Sequence, residues 1–170
     1  IDFFRKVLPD DDVREYFFDV ACQVFIGGNE DRHFVIWTGT GSNGKSITQQ
    51  FFQNMLGKMA VKISTALITG KKLDLGKPNP ELARTDDGVR WLVLDEPSKG
   101  EKITTGTLKQ ITGNDSFFAR GLYKDGHDIV PMFKLIMICN ELPDIQDPDE
   151  ACWDRIRVIP FESKFVNESE

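Results

Sequence analysis

Apolar positions along the chain change their spacing several times, and each change predicts a different secondary-structure element. Between residues 13 and 25 they recur at helical spacing after the acidic residues 10–12, which predicts a helix with one buried face. Further helices are predicted at 47–56 and 103–111, with a short one at 80–84. Continuous apolar runs predict strands at 33–38, 60–64, 90–96, 133–140 and 153–161. Strands that alternate with helices predict an α/β fold with a parallel sheet, preceded by a helical lead-in at residues 1–28.

A glycine-rich turn joins the first predicted strand to the helix after it. It matches the phosphate-loop pattern G-x-x-x-x-G-K-[ST] with Gly39, Thr40, Gly41, Ser42, Asn43, Gly44, Lys45 and Ser46. Glycines let successive backbone N–H groups point at phosphate oxygens, and the helix adds its free N-terminal donors. Lys45 is expected to reach the β- and γ-phosphates and Ser46 to bind Mg²⁺. A chance glycine- and serine-rich surface loop is the alternative, but the strand before and the helix after favour nucleotide binding.

Carboxylates close the predicted strand at 90–96. We expect this strand beside the first one, with Asp95 holding Mg²⁺ at its carboxyl end and Glu96 activating the attacking water. Asn140 closes the strand at 133–140 and is expected beside that pair, near the γ-phosphate or the water. Solvated acids after a strand and a turn-forming asparagine are the structural alternatives.

An Asp-Gly pair predicts a hairpin near residue 125. In a two-residue type I′ turn formed by Asp125 and Gly126, Lys124 and His127 would face each other at the tip. A solvated hairpin with incidental polar residues is the better interpretation of the local sequence alone. Arg155 and Arg157 open the last predicted strand, either as surface cations or as an arginine finger that acts on a neighbouring subunit.

Composition limits the class of protein. The 170 residues carry 21 Lys and Arg against 27 Asp and Glu, and this net charge of -6 argues against non-specific coating of DNA. The three cysteines suit neither a disulfide framework nor a zinc site, so a reduced cytosolic compartment is expected. No apolar run approaches the length of a membrane span, so no membrane contact is expected.

With these motifs in order, the sequence resembles the superfamily 3 helicases. It looks most like the ATPase domain of the primase–helicases of nucleocytoplasmic large DNA viruses (the poxvirus type) and satellite phages. The matching segments are GTGSNGKS, LVLDEP, LKQITGNDSFFARGLY, FKLIMICNELPD and WDRIRVIPF. The resemblance implies that residues 29–170 form a P-loop NTPase domain with an AAA+-like central parallel sheet flanked by helices. It also implies ATP and Mg²⁺ as cofactors, with Lys45, Asp95, Glu96 and Asn140 at the catalytic site.

The same resemblance implies an assembly. Members of the family form hexameric rings in which an arginine, here Arg155, acts on the neighbouring subunit's nucleotide. Lys109 falls where relatives can carry a cation that acts across this boundary. Lys124 and His127 take the place of the lysine and histidine with which the central hairpins touch DNA, although relatives carry them as an adjacent pair.

The sequence therefore predicts the ATP-hydrolysing motor domain of a replicative DNA helicase that moves single-stranded DNA. The resemblance further implies a primase domain on the same polypeptide and a location in the host cytoplasm or at the viral replication site. A P-loop kinase or GTPase is a second class, but the Asn-Lys-x-Asp base-reading motif of a GTPase is missing after Asn140. A third class is an assembly module that binds ATP only to hold a ring together.

Overall fold

The computed structural model describes residues 2–69, 78–86, 88–123 and 125–166. Helices and strands alternate along this part of the chain, as the hydrophobic pattern predicts. In order they are α1 (Asp2–Val7), α2 (Asp11–Cys22), β1 (Phe34–Thr38), α3 (Lys45–Leu56), β2 (Ala60–Ile63), α4 (Ala66–Thr69), α5 (Pro80–Ala83), β3 (Trp91–Leu94), β4 (Lys102–Thr104), α6 (Thr105–Thr112), β5 (Phe117–Ala119), β6 (His127–Ile129), β7 (Lys134–Ile138), β8 (Asp144–Gln146), α7 (Glu150–Trp153) and β9 (Ile156–Pro160).

A five-stranded sheet forms the centre, in the order β2-β3-β7-β1-β9. Every neighbouring pair is parallel, so all five strands present their carboxyl ends at one edge. The expectation that β3 lies directly beside β1 is wrong, because β7 lies between them: Leu135 pairs with both Phe34 and Leu92. Order along the chain does not set order in the sheet, since helical crossovers can skip a position.

Two hydrophobic clusters cover the two faces of the sheet, because successive strand residues point to opposite sides. On β1, Phe34 and Ile36 belong to one cluster, while Val35 and Trp37 belong to the other. The second cluster is aromatic: Phe52 of α3 stacks on Trp91 with ring centroids 4.6 Å apart, and Phe17 of α2 contacts Trp37. The lead-in helices therefore share a core with the sheet, while a domain boundary at residue 28 stays a prediction.

Helix α2 begins as the acidic run predicts. The Asp10 side chain accepts a hydrogen bond of 3.0 Å from the Val13 N–H and caps the helix. The predicted burial of Phe25 is wrong, since its side chain is 70% exposed. The α-helix ends at Cys22 and a tighter 3₁₀ turn follows, so the periodicity of 3.6 no longer describes which residues face the core.

The hairpin is present, but its predicted turn is wrong. Strands β5 and β6 are antiparallel and pair Ala119 with His127, so the connection runs from 120 to 126 and not through two residues. The left-handed backbone lies at Tyr123, with φ 58°. Gly126 serves a close contact instead: a Cβ there would lie 2.0 Å from the Phe118 ring. His127 therefore lies in a strand opposite Ala119, away from the tip.

The hydrophobic pattern also did not predict a second, two-stranded parallel sheet. Residues 102–104 form β4 and pair with β8, so the helix predicted from 103 begins at Thr105. Ile103 is fully buried and Ile145 packs against the same cluster, which explains why this short segment is extended. Trp153, predicted in the last strand, ends α7.

We expect Phe17→Ala to lower the free energy of unfolding by about 3–5 kcal/mol, because it removes a buried ring that contacts five other aromatic side chains. Urea unfolding measures this. Phe25→Ala is the matched control and should change stability by less than about 0.5 kcal/mol. A small loss for Phe17→Ala would mean that α2 folds apart from the sheet.

Candidate functional site

The glycine-rich turn after β1 is held by the chain that follows β9. Gly39 has φ +142°, and a Cβ there would lie 2.3 Å from the Phe161 carbonyl oxygen, so no other residue fits. The Asn43 side chain donates to the same carbonyl at 3.1 Å. Helix α3 starts directly after Gly44 without a side-chain cap. The first turn of α3 therefore presents backbone N–H groups that suit an anion.

Lys45 lies inside this turn. Its side chain is buried, and its ammonium donates to the Gly39 carbonyl and, at 3.4 Å, to the Asn43 side-chain oxygen. Burial lowers the pKa of Lys45, while nearby Cys139 and Glu96 act in the opposite direction. Within the described residues this ammonium forms no ion pair, so its hydrogen bonds go to uncharged oxygens.

Glu96 and Asn140 meet at the carboxyl edge of the sheet. Glu96 accepts hydrogen bonds from the Asn140 backbone N–H at 2.9 Å and from its side-chain amide at 3.3 Å. The Thr38 hydroxyl donates to the Asn140 carbonyl at 3.2 Å. The ends of β1, β7 and β3 are thus joined, and the predicted position of Asn140 beside the acidic pair is confirmed.

Asp95 and Ser46 line one cavity of about 590 Å³ between α3, β2 and β3. A carboxylate and a hydroxyl are the oxygen donors that Mg²⁺ uses, and a typical Mg²⁺ site completes its shell with phosphate oxygens and water. In the described part of the chain no group of three His, Cys, Asp or Glu residues could hold a metal ion. Asp95 pairs with Lys62 at 2.6 Å.

Lys62 and Arg84 are cavity residues that the sequence interpretation missed. Lys62 lies on the edge strand β2, and Arg84 follows the short helix α5, in a region where the hydrophobic pattern is weak. Neither belongs to a recognisable motif. A basic residue in a short strand after a phosphate loop would have been the available signal for Lys62.

The arginines of the last strand lie away from this cluster. Ile156 pairs with Phe34 at the start of β1 and Arg155 precedes it, so Arg155 lies about 20 Å along the sheet from Gly39, where the glycine-rich turn begins. Its guanidinium donates to the Ala151 carbonyl, and its Nε is buried with no partner among the described residues. Arg157 donates to its neighbour's carbonyl, that of Ile156, at 2.8 Å.

Lys109 and His127 are also outside the cluster, and each has a carboxylate partner. Lys109 pairs with Asp149, which caps α7 through the Cys152 N–H at 2.9 Å. His127 pairs with Asp86 at 2.6 Å. Lys124 lies outside the described residues. The structure thus brings together Lys45, Ser46, Asp95, Glu96 and Asn140, and it leaves Arg155, Lys109 and His127 elsewhere.

A family model described as "Family of unknown function (DUF5906)" matches residues 37–155, which include the glycine-rich turn, the acidic pair and Arg155. The chain belongs to DUF5906. Across the described part of this DUF5906 chain, no helix combines the length and apolar character that a bilayer crossing requires.

Relatives of this DUF5906 chain occur in large DNA viruses. "Putative helicase 022R" of Frog virus 3 (isolate Goorha) is 54% identical over 96% of this chain and 17% of its own length. "Putative helicase 121R" of Invertebrate iridescent virus 3 is 52% identical over 96% of this chain and 18% of its own length. "Putative primase C962R" of African swine fever virus is 23% identical over 96% of this chain and 17% of its own length. The chain therefore spans less than a fifth of these relatives.

Solved structures share the fold. The apo C-terminal region of NrS-1 matches with a TM-score of 0.67 at 16% identity, over 99% of this chain and 38% of that one. A JCV helicase bound to a small molecule matches with a TM-score of 0.54 at 13% identity, over 95% of this chain and 43% of that one. At these identities the likeness concerns the fold alone.

We expect Cys22 to react with Ellman's reagent at pH 8 much faster than Cys139. Cys22 is exposed, whereas Cys139 is buried just before Asn140, and burial raises the pKa of its thiol to about 11. Cys22→Ser should therefore abolish the fast phase, with the remaining thiols released by denaturant. Fast modification of Cys139 would show that the sheet edge beneath Asn140 is open.

Proposed function

We propose that this chain is the ATP-hydrolysing motor domain of a replicative DNA helicase. The observation that carries the proposal is the buried Lys45 ammonium, which has only neutral acceptors, inside a loop whose backbone suits an anion. A buried cation without an anionic partner is unfavourable, and phosphate oxygens would supply the missing charge. This chain is then a P-loop NTPase with an AAA+-like sheet.

ATP binding falls to the glycine-rich turn. Backbone N–H groups of residues 39–46 surround the phosphates, and Lys45 exchanges the Gly39 carbonyl for the β- and γ-phosphate oxygens. Ser46 and Asp95 are the residues that would hold Mg²⁺, which would supply positive charge beside the phosphates. A metal there would compete with Lys62, whose ammonium is paired with one oxygen of the Asp95 carboxylate at 2.6 Å.

Hydrolysis falls to Glu96 and Asn140. Glu96 is the general base that orients a water and accepts its proton. Asn140 donates to both carboxylate oxygens of Glu96 and so fixes their direction toward the phosphate. On binding, its side-chain amide can turn from Glu96 to the water or the γ-phosphate.

The position of Arg155 supports the proposed assembly. The five residues of β9 separate it from the phosphate loop of its own subunit, which supports a role on the neighbouring subunit of a hexameric ring. Arg155 is the better finger candidate of the two arginines, because it stands two residues after Trp153 and directly before β9, where the superfamily 3 resemblance puts the finger. Lys109 is bound to Asp149, so a role across the boundary requires that this exposed pair open.

DNA and the flanking protein complete the proposal. The helicase and primase names of the viral relatives support single-stranded DNA as partner and a primase domain on the same polypeptide. Work in the host cytoplasm or at the viral replication site is proposed from the superfamily 3 resemblance alone. Lys124 remains the hairpin residue proposed to touch DNA. His127 is the weaker candidate, because it lies in β6 and is paired with Asp86.

A second candidate is a module that binds ATP only to hold a ring together. The Lys62–Asp95 pair favours it, since a lysine on the metal-binding carboxylate weakens Mg²⁺ binding. The Glu96–Asn140 arrangement favours hydrolysis. Steady-state release of phosphate from Mg·ATP, measured with and without single-stranded DNA, separates the two candidates.

We expect Lys45→Met to weaken Mg·ATP binding by about a hundredfold or more, because charge-assisted contacts to the phosphates are lost. Without nucleotide its unfolding midpoint should stay the same or rise, since a buried cation is removed. Calorimetric titration and urea unfolding measure both, with the exposed Lys58→Met as control. Unchanged ATP affinity would remove the phosphate-loop assignment.

We expect Glu96→Gln to lower the hydrolysis rate by about a hundredfold to ten-thousandfold while nucleotide affinity changes little, because only the proton acceptor is lost. The rate of phosphate release measures this, with the exposed Glu15→Gln as the matched control. A variant that hydrolyses ATP at the wild-type rate would exclude Glu96 as the base.

A further inference from the structure

A second cation faces the cavity that contains Ser46 and Asp95, and no step above uses it. Arg84 lines this cavity together with Lys62. Lys62 already has a partner, because its ammonium is paired with Asp95 at 2.6 Å. One nitrogen of the Arg84 guanidinium donates to the Lys62 carbonyl at 3.3 Å, and in the described part of the chain no carboxylate pairs with it. The remaining guanidinium donors are therefore available to an anionic ligand.

We propose that Arg84 is a further residue of the nucleotide site and binds the terminal phosphate of the triphosphate. The inference rests on the proposed function and adds to it the residue that distinguishes ATP from ADP. If Ser46 and Asp95 hold the Mg²⁺ of Mg·ATP, the terminal phosphate would lie in the cavity that these residues line together with Arg84. A planar guanidinium offers two parallel donors to such a group.

The segment that carries Arg84 is anchored on both sides, which fixes the backbone from which this exposed side chain reaches the cavity. At the start of α5 the Asn79 side chain accepts from the Leu82 N–H at 3.0 Å, and Glu81 accepts from the Ser64 N–H after β2, at 3.3 Å. Beyond Arg84, Asp86 pairs with His127 of β6. Binding therefore need not order this backbone, and only the side chain loses freedom.

Lys45 and Arg84 are thus proposed to contact different phosphates. Lys45 donates from within the loop and contacts the phosphates of both ATP and ADP, so its loss weakens both nucleotides. Arg84 approaches from the β2 side, and in the proposed complex its guanidinium contacts the γ-phosphate, which ADP lacks. Its loss should therefore weaken a triphosphate selectively, which no residue of the glycine-rich turn would do.

The test compares dissociation constants for a non-hydrolysable ATP analogue and for ADP, both with Mg²⁺, by calorimetric titration. We expect Arg84→Gln to weaken the analogue about tenfold to a hundredfold, as for a lost hydrogen-bonded ion pair, and to change ADP by less than about twofold. Arg84→Lys keeps the positive charge but loses the two parallel donors of the guanidinium. Its affinity for the analogue should lie between those of Arg84→Gln and the wild type. Arg5→Gln, on the exposed side of α1, is the matched control and should bind both nucleotides as wild type does.

Equal weakening of the analogue and ADP would overturn the inference, as would unchanged affinity for the analogue. If Arg84→Gln unfolds at a lower urea concentration than Arg5→Gln, Arg84→Lys becomes the deciding variant. A selective loss of analogue affinity in Arg84→Lys supports the inference, and wild-type affinities for both nucleotides refute it. Wild-type protein that binds neither nucleotide would overturn the proposed function, and this inference with it. The two failures are therefore distinguishable.

Discussion

The burial of the Lys45 ammonium against uncharged oxygens is the constraint on which the rest of the site depends. A cation removed from water is stable only if polar groups surround it, and here the Gly39 carbonyl and the Asn43 amide serve that purpose. Gly39 can turn its carbonyl inward because it has no Cβ to meet the Phe161 carbonyl. The Asn43 side chain donates to the Phe161 carbonyl, which holds it in place. The loop is therefore shaped around a positive charge whose pKa burial has already lowered.

The order of the strands explains why the opposing groups meet. Because β7 lies between β1 and β3, the segment that follows β7 lies between the glycine-rich turn and the acidic pair. Asn140 belongs to that segment and bonds to Glu96 on one side and to Thr38 on the other. The parallel sheet thus assembles residues that are far apart in sequence.

The sequence predicted those parts of the fold and site that depend on neighbouring residues. The strand, glycine-rich turn and helix around Lys45 follow from local spacing, and Asp95, Glu96 and Asn140 follow because each ends an apolar run in a parallel sheet. The place of β7, the pairing of β4 with β8 and the seven-residue hairpin connection depend on contacts between distant segments. Gly126 is an example, since a glycine that predicts a turn is needed for contact with Phe118. Lys62 and Arg84 were missed for the same reason.

The most direct test of the central claim is a crystal structure of the chain with Mg²⁺ and a non-hydrolysable ATP analogue. The account predicts phosphate oxygens on the backbone N–H groups of residues 39–46, with the Lys45 ammonium moved from the Gly39 carbonyl to the β- and γ-phosphates. Asp95 should then face the metal, released from Lys62. A structure in which the analogue binds elsewhere, or in which Lys45 keeps its contact with Gly39 beside a bound triphosphate, would contradict it.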